Sequence, residues 1–277
     1  MFTILDPYKA ILDIGPVQMS VRAERNGQPL GREWRRLEQI VSDWLSDLKR
    51  HLEEARKPWP QVKDTSQYPK VLRLMYEAVR LTGEPTLTSM AAVAGTISEM
   101  VCNYLIDRGA TKVLVNNGGD IAIHLGDGES TRVGIIPRLG TQPSHYVQLS
   151  PASAIKGIAT SGFGGRSFTL GIADAAVALA AKPSIADACA TVLANAVNVE
   201  SPLIERQQAR ELDPATDIPG LWVTTKILPL PGEIKDCALE NGMKKAREMV
   251  DSKVLLGAIL FLGGKMVEYP QGIARKI

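Results

Sequence analysis

Hydrophobic residues recur every three or four positions in several segments of the chain, the spacing that predicts amphipathic helices. The clearest case is 33–56, where apolar residues alternate with runs of charged ones. Tyr68–Leu81 repeats the pattern and closes at a Gly and a Pro, and Met90–Arg108 predicts a third helix. The first turns of this third helix consist of small residues, which let another backbone or a ligand approach closely.

Other segments alternate apolar and polar residues, as half-buried strands do. Val17–Arg25 alternates in this way and runs into Asn26-Gly27, a strong hairpin signal. The remaining predicted strands are 113–115, 121–125, 132–136, 146–149, 154–159, 167–172, 175–179, 221–227, 254–262 and 265–269, with helices at 184–199 and 240–251. Strands that cluster in hairpins between pairs of helices favour an antiparallel α+β fold over a parallel dinucleotide-binding sheet.

The segment Leu139–Ser144, with its Gly and Pro, is the best candidate for a boundary between two halves. We therefore expect domains at 1–140 and 141–277, which together form one compact structural unit. Each half contains one helix of small residues, at Met90–Arg108 and at 184–199. This correspondence hints at an old duplication.

Composition and charge exclude some classes of function. The 277 residues include 32 Lys and Arg against 30 Asp and Glu, and the 5% of aromatic residues are few. A nearly neutral chain of this kind argues against a nucleic-acid surface. No apolar stretch is long enough to span a bilayer and no signal peptide is recognisable, so we expect a cytoplasmic protein without membrane partners. Cys102, Cys189 and Cys237 are too scattered for a disulfide scaffold or a zinc site.

A cluster of small and polar residues, Asn116-Asn117-Gly118-Gly119-Asp120, separates two predicted strands. The cluster is typical of a hairpin turn. Adjacent glycines also let backbone N–H groups approach an anion, and Asp120 adds a carboxylate beside them. The residues leave both interpretations open.

The segment from Ala159 to Ser167 contains three glycines, three hydroxyl groups and one cation, Arg166. Its backbone N–H groups and the guanidinium could cradle a phosphate. The segment lacks the spacing of a P-loop and follows no dinucleotide-binding motif, so a flexible loop is the alternative.

Asp187 and Thr191 lie four residues apart on a predicted helix rich in alanine, so their side chains share one face. A carboxylate and a hydroxyl are hard oxygen ligands of the kind that Mg²⁺ prefers. The alternative is a capping box formed by Ser184 and Asp187, in which the carboxylate only completes the start of its own helix.

These motifs occur in an order that resembles the ApbE-like superfamily, which includes flavin transferases that attach FMN to protein threonines. The resemblance runs from about Met90 to Asn198 and is closest to the short, soluble branch of that superfamily. Val93-Ala94-Gly95 matches the family's Ala-Lys-Gly motif, and Asn116-Asn117-Gly118-Gly119-Asp120 matches its Asn-Ala-Gly-Gly-Asp turn. Ala186–Thr191 matches its Ala-Asp-Ala-x-Ala-Thr helix. The resemblance implies a tandem pair of T-fold-like units, with antiparallel sheets and helices packed on one face.

The resemblance also implies a ligand set. Mg²⁺ would be held by the carbonyl of Val93, the carboxylate of Asp187 and the hydroxyl of Thr191. FAD or FMN would be the bound nucleotide, and a protein threonine the acceptor of transferred FMN. The implied nucleotide-binding residues are Asn117, Gly118, Gly119, Asp120, Ser161, Gly162 and Arg166.

Two departures from the family pattern concern catalysis. The transferases carry a His-His-Ile-x-Asp-Pro segment after the serine-glycine loop, whereas this chain reads Gly164-Gly165-Arg166-Ser167-Phe168-Thr169. The lysine of the first motif is replaced by Ala94. The catalytic residue therefore stays unassigned, and His124 is the only substitute that the sequence offers. The alternative for His124 is an ordinary strand residue.

Two other functions are open at this point. Some members of the short branch are linked to sulfide incorporation during homocysteine formation, a role in which Cys102 or Cys189 would serve. The chain could instead be a non-catalytic assembly protein that retains an old ligand site, and a homo-oligomer is expected to be possible.

Overall fold

The computed structural model describes residues 2–30 and 33–277 and has an α+β fold. The helices are α1 Trp34–Arg50, α2 Leu52–Ala55, α3 Lys70–Leu81, α4 Val93–Asp107, α5 Pro183–Ala196, α6 Ala209–Leu212 and α7 Gly232–Asp251. The strands are β1 Phe2–Asp6, β2 Lys9–Ile14, β3 Val17–Arg25, β4 Gln28–Pro29, β5 Lys112–Asn117, β6 Asp120–Leu125, β7 Thr131–Ile135, β8 His145–Leu149, β9 Gly157–Ser161, β10 Ala175–Ala180, β11 Ile204–Gln208, β12 Trp222–Ile227, β13 Gly257–Leu262, β14 Lys265–Tyr269 and β15 Arg275–Lys276.

The chain divides into two compact units that each draw on several segments. The first contains the chain up to Thr131 together with 149–159 and 180–188, and the second contains 132–148, 160–179 and 189–277. The domain boundary at residue 140, which separates the two expected T-fold-like halves, stays a prediction.

In the first unit, β1, β2, β3, β5, β6 and β9 pair in that order, each antiparallel to its neighbour. Burial alternates along β3, where Val17, Met19, Val21 and Ala23 are covered and the residues between them are more exposed. Period-two burial means that one face of the sheet carries the core. Helix α4 packs on β5 and β6, and α1 packs on β2.

In the second unit, β10, β13 and β14 form antiparallel pairs, as do β11 with β12 and β15 with β8. Every residue of β10 and β13 is buried, and α7 packs against β13 and β14. The antiparallel α+β class predicted from the sequence is therefore confirmed.

The long first helix is interrupted at His51, which separates α1 from α2. His51 has φ −118° and ψ 26°, outside the helical region, and its N–H donates to the carbonyl of Leu48. Before α4, the residues Ser89–Ala92 form a 3₁₀ turn that begins where Thr88 Oγ1 accepts a hydrogen bond from the N–H of Met90. The period of hydrophobic residues cannot distinguish these turns from α-helix, because they continue the same face.

The strand predicted at 167–172 is wrong, since this segment has no regular structure. Its backbone hydrogen bonds are irregular and go to both side chains and main-chain groups. The N–H of Thr224 donates to the Thr169 carbonyl at 2.8 Å, and the N–H of Ile172 donates to the Val197 carbonyl at 2.8 Å. The N–H of Leu170 donates to Asn195 Oδ1 at 2.9 Å, and Asn198 Nδ2 donates to the Leu170 carbonyl at 2.9 Å. The strand predicted at 154–159 begins only at Gly157, and no range is predicted from the sequence for β1, β2, β4, β11, β15 or α6.

Among the described residues, the segment Ser89–Asp107 is the one helix long and apolar enough to cross a membrane by length and composition. Most of this segment is buried inside the protein, and its residues contact β5 and β6. A buried core helix has the same length and composition, so this segment is explained by its packing.

Candidate functional site

Residues Asn117–Asp120 form the turn between β5 and β6. Asn117 pairs with Asp120 across the two strands, so the turn itself consists of Gly118 and Gly119. Both glycines have positive φ, at 71° and 111°, as this tight hairpin requires. The N–H of Gly119 donates to Asn116 Oδ1 at 2.9 Å, so the turn itself already uses that amide.

Two hydrogen bonds tie this turn to the first residues of α4. Asn117 is buried, and its Nδ2 donates to the carbonyl of Ala94 at 3.3 Å. Ser98 Oγ donates to the main-chain carbonyl of Asp120 at 2.9 Å. A plain hairpin does not require these contacts. They fix Asp120 next to the N-terminal turns of a helix.

The carboxylate of Asp187 lies at the same helix end. The N–H of Gly95, in the first turn of α4, donates to Asp187 Oδ2 at 2.8 Å. The approach is so close that a Cβ on Gly95 would lie 2.6 Å from Asp187 Cβ and 2.4 Å from the Pro183 carbonyl oxygen. Glycine is therefore the residue that fits here, and it brings the start of α5 against the start of α4.

The pKa of Asp187 is raised well above its ordinary value. The main cause is burial of the carboxyl group, and the negative charge of Asp120 adds to it. Hydrogen bonds from the N–H groups of Gly95 and Ala94 act in the opposite direction. Two carboxylates that repel each other in partly dehydrated surroundings are stabilised by a cation.

These residues fit a hard cation such as Mg²⁺ by the chemistry of their donors. Asp187 and Asp120 supply carboxylate oxygens, which Mg²⁺ prefers. Within residues 2–30 and 33–277, no group of three or more His, Cys, Asp or Glu side chains is placed to hold a metal. Further ligands would have to be carbonyl, hydroxyl or water oxygens. The carbonyl of Val93 and the hydroxyl of Thr191 are of this type.

The other residues predicted for the site belong to the second unit. Thr191 lies one helical turn after Asp187 on α5, and Ser161 ends β9. Gly162 follows Ser161, and a Cβ there would lie 2.7 Å from the Asp174 carbonyl oxygen, so packing alone explains this glycine. Arg166 is exposed in an irregular segment. Their roles in ligand binding stay predictions.

The structure also contains a buried acid that the sequence did not single out. Glu99, on α4, is 8% exposed, and its Oε2 accepts hydrogen bonds from the Ser184 hydroxyl at 2.6 Å and the Ser184 N–H at 3.2 Å. Each of the two helices therefore places a carboxylate at the N-terminus of the other, where the helix dipole favours negative charge. The sequence feature that could have indicated this buried acid is a lone glutamate within a helix of small and apolar residues.

His124 is separated from the acidic pair. It lies four residues after Asp120 on β6, about 13 Å along an extended strand. The pKa of His124 is lowered, first by burial and then by the positive charge of Lys156. This position disfavours His124 as a substitute base beside Asp120.

The fold resembles that of flavin transferases. A crystal structure of the flavinyl transferase ApbE from Pseudomonas stutzeri, in apo form, matches with a TM-score of 0.54, covers 94% of both chains and is 13% identical. A mutant of the flavin transferase ApbE from Vibrio cholerae matches with a TM-score of 0.50 over 94% of this chain and 96% of that chain, again at 13% identity. At this identity the likeness concerns the fold.

The chain belongs to the family described as "AbpE bacteria", whose sequence model matches residues 4–268. The resemblance to the ApbE-like superfamily is thus confirmed. A UPF0280 protein of Methanosarcina barkeri is 38% identical over 138 residues, or 50% of this chain and 53% of that protein. One from Methanosarcina acetivorans is 39% identical over 140 residues, with the same coverage. The match thus spans about half the length of these relatives.

Proposed function

We propose that this protein binds a flavin nucleotide, FAD or FMN, together with Mg²⁺, and that Asp187 is the principal protein ligand of the metal. One observation carries the proposal: Asp187 lies at the N-terminus of α4, where Asp120 is near enough to raise its pKa. Membership of an ApbE-like family and the flavin-transferase fold support the choice of ligand.

The residues of the first unit would have different roles in binding the metal and the nucleotide. Asp187 and Asp120 provide negative charge, and the main-chain carbonyl of Val93 provides a neutral oxygen. Asn117, through its hydrogen bond to the Ala94 carbonyl, holds the turn against the helix. A bound Mg²⁺ would neutralise the phosphates of the nucleotide. We include Gly118, Ser161, Gly162, Arg166 and Thr191 as nucleotide or metal contacts on the strength of the family motif.

The reaction that such a site would serve is transfer of FMN from FAD to a threonine of an acceptor protein. The threonine oxygen forms a bond to the phosphorus of the FMN moiety, the phosphoanhydride bond breaks and AMP leaves. The threonine proton must pass to a base, and no histidine of the described chain accompanies Asp120 and Asp187. Release of AMP from FAD, with water as the acceptor, is therefore the assay that tests turnover.

Isothermal titration with FAD, with Mg²⁺ or with EDTA, tests the binding. We expect EDTA and Asp187→Asn each to weaken FAD binding at least tenfold. Asparagine keeps an oxygen that can accept from the N–H of Gly95, so the helix end stays capped while the charge is lost. The control is Asp127→Asn, a change at an exposed turn residue of the same unit that should leave the affinity unchanged.

If Asp187 only caps α4, FAD affinity will be the same in Asp187→Asn as in the unmodified protein. Equal affinity with Mg²⁺ and with EDTA would equally contradict the proposal. FAD binding without AMP release would retain the binding site and exclude turnover with water as the acceptor. An acceptor protein and a homo-oligomer stay predictions.

A further inference from the structure

A second concave site lies in the first unit, on the side of α4 that carries Glu99. It is a cavity of about 260 Å³ between α4, β6 and the residues that precede α5. Asp187 and Asp120 do not line it, so it is distinct from the candidate flavin site. Its lining includes Glu99, Cys102, His124, Lys156 and Lys182.

The walls combine apolar surface with positive charge. Ile106, Ile123 and Pro183 provide the apolar part, and Lys156 and Lys182 are the two cationic residues of the lining. Pockets for small molecules commonly have this character, with a few polar groups in an apolar lining.

The two lysines have no acidic partner among the described residues. No carboxylate oxygen of that part of the chain lies within 4.0 Å of the Nζ of Lys156 or Lys182. Within the described ranges, the one hydrogen bond of Lys156 Nζ goes to the Pro151 carbonyl and is long at 3.5 Å. The acid in the lining, Glu99, already accepts two hydrogen bonds from Ser184.

Lys156 also acts on its neighbours in the cavity. Its charge lowers the pKa of His124, after burial, and it opposes the rise of the pKa of Cys102. The positive charge of Lys156 therefore acts on groups that line the cavity. A ligand with negative charge would relieve it, because an opposite charge in partly dehydrated surroundings is favourable.

We propose that this cavity binds a small organic phosphate, with its phosphate group paired to Lys156 and Lys182 and its apolar part against Ile106 and Ile123. Two lysines suit a dianion better than a monocarboxylate. Asn103, which also lines the cavity, is exposed to solvent. The proposal does not depend on flavin binding.

Isothermal titration of the full chain with phenyl phosphate, at low ionic strength, tests the site. We expect one site per chain. Lys156→Ala and Lys182→Ala should each weaken binding at least tenfold, whereas Lys63→Ala, which removes an exposed lysine of the same unit, should not change it. Phenol should fail to bind, and benzoate should bind more weakly than phenyl phosphate. Lys182 is exposed, so Lys182→Glu supplies a folded variant if Lys156→Ala unfolds.

Absence of saturable binding would overturn the proposal, and so would equal affinity in the lysine variants and the unmodified chain. Asp187→Asn separates this site from the flavin site, because it should leave phenyl phosphate binding unchanged. If Asp187→Asn abolishes binding of phenyl phosphate, the probe occupies the flavin site and the cavity proposal fails while the flavin proposal stands.

Discussion

Asp187 shows how much a single carboxylate depends on its surroundings. On its own helix it matches the pattern of a residue that caps that helix, and in the structure it also accepts hydrogen bonds from the N–H groups of Gly95 and Ala94 at the start of another helix. Near Asp120, the same group combines a helix-end contact with the charge repulsion expected of a cation site. The isosteric change to asparagine distinguishes these roles, because it removes charge and keeps an acceptor.

The reactivity of each cysteine also depends on the surroundings of that single residue. Cys102 and Cys189 are buried and Cys237 is exposed. Burial, with a contribution from Glu99, raises the pKa of Cys102 to about 12. At pH 8 only about one Cys102 in 10⁴ would be the thiolate, the form that reacts. A persulfide role for Cys102 is therefore disfavoured.

We expect iodoacetamide at pH 8 to label Cys237 and to leave Cys102 and Cys189 unmodified. Mass spectrometry of the intact native protein should show a single adduct, while the same treatment in denaturant should give three. Rapid labelling of Cys102 in the native protein would contradict this prediction and return the sulfur-transfer hypothesis to consideration.

At the scale of elements, the central feature is the pairing of two helix starts. Helix α4 supplies Glu99 to the N-terminus of α5, and α5 supplies Asp187 to the N-terminus of α4. Each carboxylate meets backbone N–H groups that have no partner within their own helix. The arrangement requires the two helices to approach closely, which Gly95 permits.

Gly95→Ala should destabilise the fold by about 1–3 kcal/mol, because the added methyl group would overlap Pro183 and Asp187. Urea unfolding followed by circular dichroism measures the change. Gly220→Ala is a matched control: nothing lies within 4 Å of its Cβ position and its φ is not positive, so its effect should stay within about 0.5 kcal/mol. Equal stability of the two variants would show that the helix starts can separate without cost.

At the scale of the whole molecule, ligand binding should raise the free energy of unfolding. FAD at one hundred times its dissociation constant, with Mg²⁺, should add about 2.7 kcal/mol to the free energy of unfolding. For a chain of this length, that increase raises the melting temperature by several degrees. FAD with EDTA, and Mg²⁺ alone, should give much smaller shifts in differential scanning fluorimetry. A melting temperature indifferent to all three additions would favour a non-catalytic assembly protein.

The sequence determined the elements and the family. Hydrophobic period and turn residues act over a few neighbours, so α3, β3 and the β5–β6 hairpin could be predicted with small errors at their ends. The helix predicted at 33–56 runs through the break at His51 that separates α1 from α2. The motifs at Val93–Gly95, Asn117–Asp120 and 186–191 are likewise local, and their order identified the superfamily. The strand prediction at 167–172 is wrong because the hydrogen-bond partners of this segment are distant in sequence: Asn195 and Asn198 bond to Leu170, and Thr224 bonds to the Thr169 carbonyl.

Only the tertiary structure decided which groups meet. Asp187 contacts a backbone amide 92 positions away, and Glu99 contacts a serine 85 positions away. Hydrophobic period carries no information about such pairs, because a helix start is compatible with many capping partners. The same holds for Lys156 and Lys182, which share a cavity with α4 only because the chain returns to the first unit twice. Interactions between near neighbours in the sequence determine the helices and strands, whereas long-range packing determines which functional groups come into contact.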